Sequence, residues 1–169
     1  MILIETHRLN LQTLTRMDVS EDYADWLNDT EINRYIKKMP RQTVGSCKDY
    51  VRSYMDTSKK ALIGIFTKDY LHIGNITLTD INKRDKKACI GVCIGRKEYH
   101  SKGFGKEAVK HIINYCFNDI DLWDVEAYID KDNRASLNLF TGLGFKKIEE
   151  RKTDYIFIKK RRQELKEAV

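Results

Sequence analysis

The run Tyr99-His100-Ser101-Lys102-Gly103-Phe104-Gly105-Lys106-Glu107-Ala108 sets a Gly-x-Gly turn between two lysines. Two glycines so close together let the backbone bend with no Cβ in the way. If a helix begins here, its first N–H groups face the turn without partners inside the helix. Those donors, the positive end of the helix dipole and the ammonium groups of Lys102 and Lys106 together make an anion site suited to phosphate. An ordinary polar turn capped by a helix would carry the same two glycines, so the flanking segments must decide.

Before the turn, Ala88-Cys89-Ile90-Gly91-Val92-Cys93-Ile94 is apolar, partly β-branched and of strand length. It reads as a strand buried on both faces. After the turn, Ala108, Val109, Ile112, Ile113, Cys116 and Phe117 recur at helical spacing and make one wide apolar face. The order is therefore strand, short polar loop, phosphate-type turn and amphipathic helix. A P-loop shares that order, but it would need glycine at His100 and a hydroxyl at Glu107, and so would lack its Mg²⁺ ligand. A dinucleotide fingerprint fits Gly103-x-Gly105-x-x-Ala108, with Glu126 near the acidic position. There the first glycine should close the strand, whereas Gly95 to Lys102 intervene, and too little chain follows Gly103 for the rest of a doubly wound sheet.

Further on, Asp124-Val125-Glu126-Ala127-Tyr128-Ile129 is a second strand candidate. Asp130-Lys131-Asp132-Asn133-Arg134-Ala135-Ser136 follows it, and Leu137-Asn138-Leu139-Phe140-Thr141-Gly142-Leu143-Gly144-Phe145 closes the unit. The two motifs, in this order and spacing, resemble the GNAT acetyltransferases, whose acetyl-CoA site joins a [QR]-x-x-G-x-[GA] turn to a downstream N-x-x-[AS]…L-G-F helix. The resemblance covers residues 61 to 158 well and the N-terminal part loosely. Arg8-Leu9, Gly74-Asn75-Ile76 and Asn133-x-x-Ser136 look like the branch containing ribosomal-protein-alanine and amino-sugar N-acetyltransferases. His100 stands where the pattern has Gln or Arg, which leaves the phosphate contact to the backbone amides.

The resemblance implies acetyl-CoA as co-substrate, bound in a gap between the strand before the turn and the strand after the helix. Ile94, Gly95 and Arg96 would then bond the pantetheine arm through their backbone. The residues His100, Ser101, Lys102, Gly103, Phe104, Gly105 and Lys106 would hold the pyrophosphate, and Asn133 would reach the arm from the next helix. Asn133 also suits a helix N-cap, and its amide has atoms for both tasks. Acetyl transfer to an amine needs a neutral nucleophile, a polarised carbonyl and a proton for the leaving thiolate. Phe140 holds the position where the family often has a tyrosine acid, so Ser136, four residues earlier on the same helix face, is the substitute candidate. Cys89 holds the strand position that often bears glutamate, which makes Glu126 the first candidate base, with Asp80, Asp154 or water as alternatives. A plain helix-start serine and a solvent-facing edge glutamate would look the same in sequence.

Composition sets the frame. The chain has 169 residues, 41% apolar and 33% charged, with a formal charge of +6. Those values fit one soluble globular domain over residues 1–169, which the resemblance makes an acetyltransferase domain. No apolar run approaches the ~20 residues of a membrane span. Met1-Ile2-Leu3-Ile4-Glu5 lacks the basic region and cleavage site of a signal peptide, so a cytoplasmic protein is expected. Cys89 and Cys93 would sit ~13 Å apart on one strand face, too far to bridge, and with Cys47 and Cys116 they read as reduced core residues. His7, His72, His100 and His111 are scattered, and no metal is expected. The positive charge suits an anionic small molecule such as coenzyme A. Nucleic acid would want a zinc-finger or aromatic RNA-binding signature, and none accompanies the charge. Lys159-Lys160-Arg161-Arg162, followed by Glu164 and Glu167, reads as a solvated amphipathic helix end.

The elements that must position these residues can be read in order. Arg8 to Leu14 alternates as a strand. A helical segment carries Tyr23, Trp26 and Leu27, a short helix Ile32, Tyr35 and Ile36, and a third helix runs from Val44 to Met55 with Tyr50, Val51, Tyr54 and Met55 inward. Ala61–Thr67 and Leu71–Thr79 form a hairpin around Lys68-Asp69-Tyr70. Phe145 to Glu149 and Tyr155 to Ile158 read as two closing strands. The fold expected is α/β (α+β): a mixed, mostly antiparallel sheet with helices on both faces and one splayed parallel pair, its crossover right-handed. Trp26, Asn28, Arg34 and Tyr35 are candidates for an acceptor pocket. The acceptor is expected to be a small-molecule amine, first an amino sugar that could be nucleotide-linked, second a peptide N-terminus, and polyamines last. A basic chain, with Arg34, Lys37, Lys38, Arg41, Lys83 and Arg84 near the acceptor region, should prefer anionic acceptors. A homodimer is left open, as are a non-catalytic acyl-CoA sensor and a nucleic-acid-binding domain.

Overall fold

Period-two alternation and helical periodicity partition the chain much as its apolar residues dictate. The computed structural model describes residues 1–36, 40–55 and 57–161. Its elements are β1 (Leu3–Glu5), β2 (Leu9–Thr13), a 3-10 turn at Arg16–Asp18, α1 (Glu21–Asn28), α2 (Val44–Arg52), β3 (Ala61–Thr67), β4 (His72–Asn82), β5 (Lys87–Ile94), a 3-10 turn at Lys97–Tyr99, α3 (Phe104–Asn118), β6 (Asp124–Asp130), α4 (Arg134–Gly142), β7 (Lys146–Glu150) and β8 (Asp154–Lys160). They build one 8-stranded sheet in the order β1-β2-β3-β4-β5-β6-β8-β7. Every neighbouring pair is antiparallel except β5 with β6. Antiparallel neighbours can be joined by tight turns, whereas the parallel pair needs a crossover, and α3 supplies it.

Apolar side chains alternate to the two faces. Ile63, Ile65, Ile76, Leu78, Ala88, Ile90, Val125, Ala127 and Ile129 pack on one face against Ala108, Val109, Ile112, Ile113 and Cys116 of α3. Leu62 and Phe66 point the other way, against Tyr23, Trp26, Cys47 and Val51 of α1 and α2. Local chemistry sets the helix starts. The Ser20 hydroxyl accepts from the Tyr23 N–H, and the Thr43 hydroxyl accepts from the Ser46 N–H.

The parallel pair is joined over a short stretch only. Lys87 faces Asp124, Ala88 faces Val125, and Cys89 faces Glu126. Beyond that last rung β5 follows β4 as far as Ile94, and β6 follows β8 as far as Asp130. A wedge therefore opens between them. It is closed at Cys89 and Glu126 and open at Ile94 and Asp130, ~17 Å away along β5 at ~3.3 Å per residue.

Several sequence expectations need correction. The Ala88–Ile94 strand is not buried on both faces: Cys89, Gly91 and Cys93 are only partly covered. The second apolar cluster, built on α1 and α2, takes its sheet residues from β3 and stops short of β5. Residues 30–36 form turns and not a helix, with the Asn33 N–H on the Asp29 carbonyl and the Ile36 N–H on the Asn33 carbonyl. Helix α2 ends at Arg52 and buries Cys47 and Val51, while Tyr50 and Met55 are exposed. Leu3–Glu5 is a strand that the sequence did not announce. Lys159 and Lys160 end β8 and are not part of a helix; Arg162, Glu164 and Glu167 lie outside the described residues, as do Lys37 and Lys38. Among the described residues, no helix is long and apolar enough to cross a membrane.

Candidate functional site

The anion turn forms because two backbone positions leave ordinary space. Gly103 sits at φ 81°, in the region that favours glycine, and Ser101 adopts φ 57°. Gly103 is the N-cap of α3, and no side chain caps that end. The first N–H of this turn that reaches a helix acceptor is that of Glu107, on the Gly103 carbonyl at 3.0 Å. The N–H groups of Phe104, Gly105 and Lys106 thus come before the first intrahelical bond and face outward. This donor row, with its dipole and two lysines, suits a doubly charged phosphate group.

Glu107 could have spoiled that site by placing a carboxylate in the first helical turn. Its carboxylate is instead turned away and held by three donors. The Thr6 hydroxyl donates to Oε1 at 2.6 Å, the Arg8 N–H to Oε1 at 2.9 Å, and Arg8 Nε to Oε2 at 2.7 Å. Burial alone would raise the Glu107 carboxyl. The Thr6 and Arg8 bonds outweigh it and hold the group at about 2, below its ordinary 4.5. Arg8 continues into the turn: Nη1 donates to the Lys102 carbonyl at 3.0 Å, and the guanidinium lies 4.2 Å from the Phe104 ring centroid. No local pattern relates Arg8 to Glu107, because the two are far apart in the chain. The nearest signal was the mismatch of Glu107 to a P-loop. His7, Arg8, Lys106, Lys110 and His111 line a basic cavity of ≈ 400 Å³ beside the turn.

On the β5 side, the structure places Ile94, Gly95 and Arg96 where the wedge opens. The Gly95 and Arg96 N–H groups donate to the Ile73 carbonyl at 2.9 and 3.3 Å. His100 Nε2 donates to the Ile94 carbonyl at 2.8 Å, so its imidazole bridges strand and turn. The Arg96 side chain is directed to structure: Nε donates to the His72 carbonyl at 3.0 Å, and Nη2 pairs with Asp22. Gly95 is required by a close approach. A Cβ there would lie 2.1 Å from Trp26 Cδ2 and Cε3, and Trp26 is itself wedged against Tyr23 and His72. Gly95→Ala is therefore expected to cost about 1–3 kcal/mol through overpacking. Its melting temperature should fall by several degrees, with a shift in the fluorescence of buried Trp26. A variant as stable as the parent would show that Trp26 moves freely.

On the β6 side, the side-chain Oδ1 of Asn133 accepts from the Ser136 N–H at 3.0 Å, which caps α4. This leaves the amide N–H₂ of Asn133 with no protein partner among the described residues. Ser136 is half-buried one turn into α4, and Phe140 is buried against Phe145 with ring centroids 5.0 Å apart. Glu126 lies on the last rung of the parallel pair, opposite Cys89, with its side chain on the face away from α3. The Tyr128 hydroxyl donates to Glu126 Oε2 at 3.3 Å. Burial pushes the Cys89 thiol up to about 11, with the Asp80 and Glu126 carboxylates adding to the rise against a Thr79 bond that lowers it. A neutral thiol there is no nucleophile. Asp80 is exposed and accepts from the Thr79 hydroxyl at 3.3 Å, so two carboxylates flank the closed end of the wedge. Asp154 lies at the far end of β6, opposite Asp130, away from that rung.

The residues proposed for an acceptor pocket separate. Trp26 is packed under Gly95, and the Asn28 amide is bonded to the Gln42 backbone at 2.8 and 2.9 Å. Tyr35 reaches across, its hydroxyl donating to the Asp132 carbonyl at 3.1 Å, with Arg34 above its ring. Lys97 meets Asp29 at 2.8 Å and also pairs with Glu31. The 29–36 segment thus touches both walls of the wedge at its open end.

These features can be set beside known proteins. The family model described as an acetyltransferase (GNAT) domain matches residues 8–146. The uncharacterized N-acetyltransferase p20 of Bacillus licheniformis is 29% identical over 147 residues, covering 84% of this chain and 81% of that protein. The solved spermidine N-acetyltransferase of Vibrio cholerae, in complex with CoA and spermine, superposes with a TM-score of 0.80 at 18% identity, covering 92% of this chain and 96% of that one. The ribosomal-protein-S5-alanine acetyltransferase of Vibrio fischeri gives a TM-score of 0.81 at 17% identity, covering 94% and 96%. Both structures share the fold.

Proposed function

Because the chain belongs to the GNAT acetyltransferase family, we propose that it transfers the acetyl group of acetyl-CoA to the primary amine of a small anionic acceptor, first an amino sugar that can be nucleotide-linked. The observation that carries the coenzyme half is the uncapped start of α3, where Phe104, Gly105 and Lys106 present unpaired N–H groups beside Lys102. That row, Asn133 and the wedge between β5 and β6 fit a pyrophosphate with a long, narrow arm. When bound, acetyl-CoA supplies the thioester on which an amine acts.

The chain's own residues would do the rest. His100 to Lys106 bind the pyrophosphate, and Ile94, Gly95, Arg96 and Asn133 line the arm's path. Glu126 takes the proton of the incoming amine at the closed end of the wedge, with Asp80 beside it. Ser136 is the hydroxyl assigned to pass a proton to the thiolate while it takes one from water, and Glu126 releases the amine proton to solvent. The acceptor enters on the face that α1 and α2 leave uncovered at Cys89 and Gly91. A peptide N-terminus is the second reading of the acceptor, supported by the likeness of fold to the Vibrio fischeri enzyme.

Isothermal titration with acetyl-CoA tests the coenzyme half, and no binding at high micromolar ligand would remove the proposal. Thiol release with amino-sugar nucleotides, N-terminal peptides and spermidine tests the acceptor. Turnover confined to peptides or to spermidine would overturn the ranking. Glu126→Gln should lower kcat about 100-fold, the usual scale of a general base, without changing acetyl-CoA affinity. A kcat within twofold of the parent would pass the role to Asp80 or water.

A further inference from the structure

We propose that the lysine-lined cavity beside the closed end of the wedge seats a phosphate or pyrophosphate carried by the acceptor, an inference that rests on the acetyltransferase reading above. The cavity, ≈ 770 Å³, lies between Thr57–Lys60, the end of β4 with the turn after it at Thr79–Lys83, and Lys87 at the start of β5. Among the described residues, four ammonium groups border it, from Lys59, Lys60, Lys83 and Lys87, against the carboxylate of Asp80. Lys60 is tethered, with Nζ donating to Ser53 Oγ at 3.2 Å and lying 4.4 Å from the Tyr54 ring centroid. Among the described residues, Lys59, Lys83 and Lys87 make no ion pair. Such uncompensated like charges around one concavity raise the local concentration of anions. The hydroxyl of Ser58 adds a neutral donor at its edge.

The position of this cavity relates it to the chemistry. Thr79 is in register with Cys89, and Cys89 with Glu126 on the last rung of the wedge. Lys87 lies two residues before Cys89, ~7 Å along the strand, with its side chain on the same sheet face. An acceptor reaching Glu126 and Asp80 with its amine would therefore carry its anion toward the lysines, about one sugar ring or short aliphatic spacer away. Glu126 at one end and the lysines at the other have opposite charge, with Asp80 between them, so the groove selects bipolar acceptors. A polyamine of similar length would place its second ammonium among four others, an unfavourable contact even after screening by salt.

Titrations on protein saturated with coenzyme A exclude the α3 turn as the source of any anion binding. Inorganic pyrophosphate and uridine diphosphate should each bind this complex, with affinity falling as salt rises. The double variant Lys83→Glu/Lys87→Glu should lose at least tenfold in that affinity. For a phosphorylated amine acceptor against its dephosphorylated counterpart, the variant's ratio of kcat/KM should fall at least tenfold. Both lysines are on the surface, and Lys87→Arg should retain binding. Pyrophosphate that binds only without coenzyme A, or equally to the double variant, would overturn the site while leaving the acetyltransferase reading in place. Capture of an acidic peptide or RNA in preference to pyrophosphate would overturn it too. Failure of acetyl-CoA itself to bind would overturn both.

Discussion

Replacing Gly105 with aspartate will raise the dissociation constant for acetyl-CoA by about 100-fold or more while the protein stays folded. Gly105 is the second residue of α3 and lies in the donor row. Two effects add. The new carboxylate sits among the N–H groups that a pyrophosphate would use, and it repels that group at short range. Unit charges ~4 Å apart near a protein surface interact by about 4 kcal/mol, and about 1.4 kcal/mol is a factor of ten in affinity. The helix itself should not suffer, because an acidic residue in a first turn favours the dipole. Sterics are secondary: the added Cβ would lie 3.2 Å from Leu139 Cδ1, the end of a flexible side chain. Gly105→Ala is the control and should lose less than tenfold. The measurement is calorimetric titration beside a thermal melt. A folded Gly105→Asp protein with parental affinity would show that the phosphate binds elsewhere.

The second large effect lies in the brace behind the turn. Glu107→Ala removes the acceptor of three hydrogen bonds and leaves Arg8 without its partner. The Glu107 side chain is only 15% exposed and that of Arg8 38%, so solvent repairs the loss in part. A destabilisation of about 2–4 kcal/mol is expected, at the scale of breaking a partly buried pair. The pH dependence distinguishes the carboxylate from mere packing. Glu107 is held at about 2 when folded against an ordinary 4.5, so its contribution is complete above pH 4.5 and is lost as pH falls from there through 2. The shift corresponds to about 3 kcal/mol. The gap in melting temperature between parent and Glu107→Gln should therefore be constant at neutral pH and shrink over that acidic window. A gap that does not change with pH would assign the effect to shape alone. Acetyl-CoA affinity should also drop about tenfold, because Arg8 no longer fixes the Lys102 carbonyl.

Features written in short-range patterns were legible in the sequence. Ala61–Thr67 appears as a strand with the bounds expected, and the apolar face of α3 consists of the six residues its periodicity names. The Gly-x-Gly turn was legible because φ 81° at Gly103 is a requirement that glycine meets locally. What failed depends on distant partners. Leu3–Glu5 is exposed or only partly covered and is a strand because β2 pairs with it. Ile32, Tyr35 and Ile36 have helical spacing, yet Lys97 and Asp132 hold that segment as turns. Tyr50 and Met55 looked like core, but both lie at the surface, Tyr50 against the Tyr54 ring. The lysine cavity gathers residues from the α2–β3 connection, β4 and β5, which no single stretch of sequence puts together. The roles of Glu126 and Ser136 rested on the family pattern more than on any local signal.

The brace between Arg8 and Glu107 also bears on how the protein is made. The Arg8 N–H and the Glu107 carboxylate are 99 positions apart in the chain. Closing so long a span carries an entropic cost that earlier, local contacts do not repay by themselves. The first strands and their hairpins can leave the ribosome long before α3 exists, so Arg8 waits, unpaired, for most of synthesis. The turn is then set only after five of the eight strands, β1 to β5, have been made and α3 has emerged behind them. Trimming from the amino terminus past Arg8 should uncouple the two events, leaving a helix that forms on time and a turn that is never set.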